Sequence, residues 1–211
     1  GLTGADATLY YPWIWVSQPD TPLRKVKVPP CGHVAGVYAR SDQRSGVHKA
    51  PANELLEGVV DLEVNLTDAQ QGDLNSEGIN CLRAFPGRGL RVWGARTLST
   101  DPAWTYVNVR RLFLTVGRWA DSTMADVAFE PNDFLVWVRI ERELRAYFTD
   151  LFRQGALKGA TEDDAFYVKC NMDTNPPAVR DAGMVVTEIG LAPAIPNEFV
   201  VVRLIHGASG V

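Results

Sequence analysis

Cysteine and histidine are scarce, at three residues each in a chain of 211, and this narrows the available chemistry. Cys31, Cys81 and Cys170 are odd in number, far apart and in no metal-ligand spacing. That pattern excludes a disulfide framework and points to free thiols in a reducing compartment. His33, His48 and His206 are scattered, and Cys31-Gly32-His33 is a poor chelate without further ligands. No apolar run approaches the length of a membrane span, and no signal-peptide pattern opens the chain. Gly1 stands where an initiator methionine would, which is expected of a fragment or a processed product. A P-loop, a dinucleotide fingerprint and a nucleophile elbow are all missing. Gly87-Arg88-Gly89 is too short to cradle phosphate and reads as a hairpin turn. Glu141 and Glu143 point apart on a helix, the run Glu162-Asp163-Asp164 starts a turn or faces water, and Cys170 sits in an apolar strand pattern. The expectation is therefore no catalytic, cofactor-binding or metal-binding residue, no cofactor and no enzyme.

What is present is an uneven charge distribution. The net charge is −4, yet residues 83–118 hold seven arginines against one acid, between a 1–82 segment of six basic and ten acidic residues and a 119–211 segment of eight and fourteen. An arginine band between acidic flanks is self-complementary and joins one copy to the next. The alternative is pairing within the chain. With no recognised nucleic-acid motif and an acidic whole, binding to nucleic acid is not expected.

The organising stretch is Gly78–Leu98, two strands (Asn80–Phe85 and Leu90–Thr97) around the turn Pro86-Gly87-Arg88-Gly89. Residues 1–60 hold six prolines and read as loop-rich. They include an apolar run Leu9–Val16 bent at Pro12, a short strand at Val26–Val28 and a helix beginning near His33–Ala39. The alternation Val60, Leu62, Val64, Leu66 predicts a strand or extended arm. Thr67-Asp68-Ala69-Gln70 reads as a capping box opening a helix to Ser76, with Gly78 as its left-handed stop. Two long helices follow, Val107–Asp126 and Asp133–Gly155, the first with Val109, Leu112, Phe113, Val116, Trp119 and Ala120 on one face. Strands are expected at Ala165–Cys170, Met184–Leu191 and Glu198–His206. The last contains Phe199, Val200, Val201, Val202, Arg203, Leu204 and Ile205, apolar on both faces, and such a strand needs cover from both sides. The class is α+β: a mixed β-sheet with two long helices packed on it and extended terminal arms.

Several stretches carry a family resemblance. They are Tyr11-Pro12-Trp13, the run from Val28 to Arg40, Ala50-Pro51-Ala52-Asn53-Glu54, Gly78-Ile79-Asn80, Gly89–Thr97, Tyr106-Val107-Asn108-Val109-Arg110-Arg111 and Glu198–Leu204. In this order they resemble the C-terminal half of the contractile tail sheath protein of phages and phage-like injection systems. Cys31 stands where that family usually has Ser or Ala, and the chain begins where the family's N-terminal arm and outer domain would already have passed. The resemblance divides the chain into a loop-rich core segment (1–60), a C-terminal sheath domain (61–193) and an arm strand (194–211). It implies a virion-tail or phage-like structural protein assembled in the bacterial cytoplasm, in hexameric rings stacked helically around an inner tube. Baseplate and terminator proteins complete the partners, with no membrane and no nucleic acid.

Two sets of site residues follow. Phe199–Ile205 is expected to add a strand to a neighbouring subunit. The arginine band (Arg83, Arg88, Arg91, Arg96, Arg110, Arg111, Arg118) is expected to make charge contacts between subunits or with the tube. The competing function is a monomeric module whose first fifty residues, with Trp13 and Trp15, grip a ligand or a protein.

Overall fold

The computed structural model describes residues 4–18 and 21–198. The predicted strand Phe199–Ile205 lies outside the described residues.

The first hundred residues are more regular than their prolines suggest. Strand β1 (Leu9–Tyr11) and strand β2 (Ile14–Gln18) are separated by Pro12, whose peptide bond to Tyr11 is cis. The apolar run Leu9–Val16, bent at Pro12, thus supplies two strands, and they enter different sheets. Strand β3 (Thr21–Val28) starts earlier than predicted, and helix α1 (Cys31–Ser45) runs on well past Ala39. Next come β4 (Glu54–Leu55), β5 (Val59–Leu62) and helix α2 (Asp68–Ser76). The α2 cap is the predicted box: Thr67 Oγ1 accepts from Gln70 N at 3.3 Å, and Gln70 Oε1 accepts from Thr67 N at 3.0 Å. Gly78 follows at φ +77°, a conformation that favours glycine. The hairpin of β6 (Ile79–Phe85) and β7 (Gly89–Trp93) completes this part.

These strands form a four-stranded sheet ordered β1-β6-β7-β4 and a three-stranded sheet ordered β3-β2-β5. The larger sheet is mixed, since β1 runs parallel to β6 while β6–β7 and β7–β4 are antiparallel. Leu82 pairs with Val92 across the hairpin, and both are fully buried with Ile14, Leu62, Val34 and Val37 in the first core. That core draws on residues from both sides of position 60. Asn80, also fully buried, stitches the sheet: its amide oxygen accepts from Arg96 N at 2.7 Å, and its Nδ2 donates to Arg96 O and Leu9 O. Gly94 is needed beside it, because a Cβ there would lie 2.7 Å from Asn80 Oδ1.

The second half is built on α3 (Val107–Met124) and α4 (Phe134–Arg153), close to the predicted bounds. Asp133 caps α4, accepting from Leu135 N and Val136 N. A short helix α5 (Glu162–Ala165) is the acidic turn, closed by a capping box from Thr161 to Asp164. It leads into β8 (Phe166–Lys169); α6 (Pro177–Asp181) and β9 (Glu188–Leu191) follow, and β8 and β9 pair antiparallel.

The α+β class holds, with one correction of packing. The long helices do not cover the hairpin sheet. Leu112 and Val116 of α3, with Ile140, Leu144 and Phe148 of α4, share a second core with Phe166 and Val168 of β8. The reason is geometric: Leu82 and Val92 already face α1 and β5 on the inner side of the hairpin sheet, so the apolar stripes of α3 and α4 close on each other and on the β8–β9 pair.

Candidate assembly site

The chain after β9 ties the two cores together. Ala192 N donates to Ala165 O, Leu157 bridges Pro193, and Ala194 N donates to Ala156 O at 2.9 Å. The backbone then passes Asn108, whose Nδ2 donates to Ala194 O at 3.1 Å and to His48 O at 2.9 Å. Asn108 is buried on the first turn of α3, although its helical spacing assigns it to the polar face. The link ends at Glu198.

Glu198 is held by five hydrogen bonds from three residues, Asn75 and Arg96 of the first half and Tyr106 at the entrance to α3. Arg96 grips the carboxylate with two nitrogens, Nη2 to Oε2 at 2.6 Å and Nε to Oε1 at 2.9 Å. Asn75 Nδ2, at the end of α2, donates to Oε1 at 3.0 Å, and the Tyr106 hydroxyl donates to Oε2 at 3.2 Å. Such a two-nitrogen grip fixes orientation as well as position. Burial by itself raises the carboxyl pKa, but the hydrogen bonds from Arg96 and Asn75, the Arg96 charge and the Tyr106 hydroxyl outweigh it, and the net shift is downward. The same carboxylate pushes the Arg96 guanidinium up.

A carboxyl with a depressed pKa in the fold stabilises above its unfolded pKa and loses that stabilisation as pH falls through the folded value. The clamp is therefore fully formed at neutral pH and opens on acidification below the usual carboxylate range, about pH 4.3. Between pH 7 and pH 3 the native chain should lose more melting temperature than the Glu198→Gln variant, which has no carboxylate to protonate. Identical acid dependence of the two would count against the clamp.

The structure disperses the arginine band. Arg83 pairs with Asp68 at 2.7 Å, Arg96 with Glu198, Arg110 with Asp6 at 2.8 Å, and Arg111 with Asp42. Arg88 and Arg91 reach Asn53, at 2.9 Å to its side chain and 2.6 Å to its carbonyl. Arg118 is exposed and has no ion pair among the described residues. Three of these pairs, Arg96–Glu198, Arg110–Asp6 and Arg111–Asp42, span the halves of the chain. Arg111 of α3 also lies 4.9 Å over the ring of Tyr38, whose hydroxyl meets that of Tyr10 at 2.8 Å. Burial, followed by the neighbouring Tyr38, pushes the Tyr10 hydroxyl far above its usual range, so this contact stays neutral.

Sequence reasoning names Arg96 as one of the arginine band but misses its partner Glu198 and the parts played by Asn75 and Tyr106. Arg96 and Glu198 are 102 positions apart and nothing local links them. Asn75 carries no motif, and Tyr106, although it opens one of the resemblance stretches, carries no sign of a carboxylate partner. Asn80 had a signal, an amide inside the apolar run Ile79–Leu82, where a polar side chain must satisfy the backbone around it.

Comparison with known proteins adds kinship to this geometry. The family model of the phage tail sheath protein central domain matches residues 2–98. The model of the phage tail sheath C-terminal domain matches residues 99–205, so the border falls between the two cores. The tail sheath protein of Vibrio phage KVP40 is 30% identical over 182 residues, 84% of this chain and 26% of that protein. Among solved structures, a chain of the anti-feeding prophage baseplate is 36% identical with a TM-score of 0.89, over 97% of this chain and 55% of that one. A chain of the PVC sheath complex, an extracellular contractile injection system in the contracted state, is 37% identical with a TM-score of 0.88, over 95% of this chain and 56% of that one. The chain thus spans about a quarter of its phage relative and a little over half of the solved ones. With the two domain models matching residues 2–98 and 99–205 and a shared fold at this identity, the chain belongs to the phage tail sheath protein family, with matches to its central and C-terminal domains.

Proposed function

We propose that this chain is the inner part of a structural subunit of a contractile tail sheath. The subunit polymerises as hexameric rings stacked helically around an inner tube and contracts to drive the tube through a target envelope. Its partners are further copies of itself, the tube, and the baseplate and terminator proteins, within a phage tail or phage-like particle assembled in the bacterial cytoplasm. It performs no catalysis, and contraction draws on energy stored in the packing of the extended state rather than on a nucleotide.

The observation that carries the reading is the Glu198 clamp followed at once by the strand-patterned, two-sided apolar Phe199–Ile205. A firm root and an apolar ribbon are the two parts of a strand given to a neighbour. Head-to-tail donation of this kind builds open helical assemblies. The receiving edge that fits best is the β8–β9 pair, which has no third strand among the described residues. Two strands alone are marginal and gain from a third. The other long edge, β3, carries Arg24, Lys25 and Lys27, and charge on an edge discourages pairing. Of the arginine band, Arg88, Arg91 and Arg118 have no carboxylate partner among the described residues and are the members with charge to offer a neighbour or the tube.

Size-exclusion chromatography and negative-stain images of the natural protein test this. Rings or tubes are the expected result. A monomer under all assembly conditions would support a binding module instead.

A further inference from the structure

We infer that the groove between α2 and the β6–β7 hairpin is the seat of the subunit's own Phe199, so that an aromatic contact, besides the Glu198 clamp, anchors the arm before it reaches a neighbour. This rests on the sheath reading of the arm and adds where the arm's free part begins.

The groove has a volume of about 430 Å³. Register puts Trp93 opposite Cys81, so Trp93 and Phe85 lie on the hairpin face turned away from the Leu82–Val92 core. Their rings, half-buried, sit 4.5 Å apart at 52° and leave an aromatic floor. Arg83 lies 5.5 Å over Phe85 with its charge met by Asp68. On the opposite wall is Gly72, where a Cβ would meet nothing within 4 Å. At one end stand Asn75 and Arg96, the two residues that hold Glu198.

The path of the backbone leads there. Ala194 lies at Asn108 and Glu198 at Tyr106, Arg96 and Asn75, so the chain travels away from α3 toward α2. Glu198 therefore stands at the mouth of the groove. The residue that follows it in the sequence is Phe199, the one aromatic in the stretch Phe199–Ile205. A third ring against the tilted Phe85–Trp93 pair gains both buried area and ring-edge contact. The residues that follow, from Val200, are then the part that crosses to a sister copy.

The test is a mutant cycle on the natural protein, melted under dilute conditions where chromatography shows a monomer. Phe199→Ala should lower the melting temperature by about 2–4 °C. In a Trp93→Ala background, Phe199→Ala should change nothing further, because the floor is gone. Gly72→Leu provides an independent arm: it fills the groove from an open helical position and should likewise erase the Phe199→Ala effect, even if Trp93→Ala fails to fold. An unchanged melting temperature for Phe199→Ala, or effects that simply add, would overturn the seat. Electron micrographs of the unmodified protein keep the two readings apart. Tubes without coupling sink the seat alone, and coupling without tubes sinks the sheath reading alone.

Discussion

A subunit cut off before Glu198 is expected to stay folded and to form no sheath. Among the described residues, the two cores draw on buried side chains between Ile14 and Cys170. The β8–β9 pair and the Ala194 bonds to Ala156 and Asn108 also survive the cut. What is lost is the clamp and everything distal to it. Arg96 keeps its bond to Asn75 O at 3.0 Å, and its freed nitrogens turn to water. The folded monomer should therefore melt only a few degrees lower. Assembly, in contrast, should drop to nothing visible in micrographs, because a missing strand removes a whole main-chain ladder rather than one contact. Normal sheaths from the truncated protein would refute the role given to the arm.

The second large effect lies in the helical core. Phe148 on α4 is fully buried, with its ring 5.6 Å from Phe166 on β8 and 5.6 Å from Tyr147. Tyr147 in turn stacks on Trp119 of α3 at 4.0 Å. Phe148→Ala empties the point where α4 meets the strand pair, and such truncations cost about 3–5 kcal/mol. For a chain of this size that is a fall in melting temperature of about 6–20 °C. Hydrogen exchange should show the loss concentrated in α3, α4, β8 and β9, with Leu82 and Val92 protected as before, since they belong to the other core. Uniform loss across both cores would mean that they do not melt as separate units. Because the proposed receiving edge is β8–β9, this substitution should impair assembly too.

What could be read from the residues, and what could not, divides by distance along the chain. Helix α2 was legible to the residue because its start and stop are local chemistry: the Thr67–Gln70 box and the left-handed Gly78. The long helices were legible from the period of their apolar residues. Their partner was not, because a stripe says that something covers it and not what. The regularity of residues 9–45 was hidden by prolines, which here fall between elements rather than within most of them, as Pro12 does between β1 and β2. The arginine band read as one feature along the sequence, but the fold sends its members to separate partners: Arg83 to α2, Arg96 to Glu198, Arg110 to Asp6 and Arg111 to α1. A one-dimensional charge count does not see pairs closed over 15 to 104 positions. The family itself was legible from short runs around turns and caps, among them Gly78-Ile79-Asn80, where the left-handed glycine and the stitching amide both prove to be structural needs.

The most direct test is a helical cryo-EM reconstruction of the native assembly, traced through residues 199–205. The account predicts main-chain hydrogen bonds from that ribbon to a strand of a sister subunit, with β8–β9 as the receiving sheet. A ribbon folded wholly onto its own subunit, touching no other copy, would contradict it.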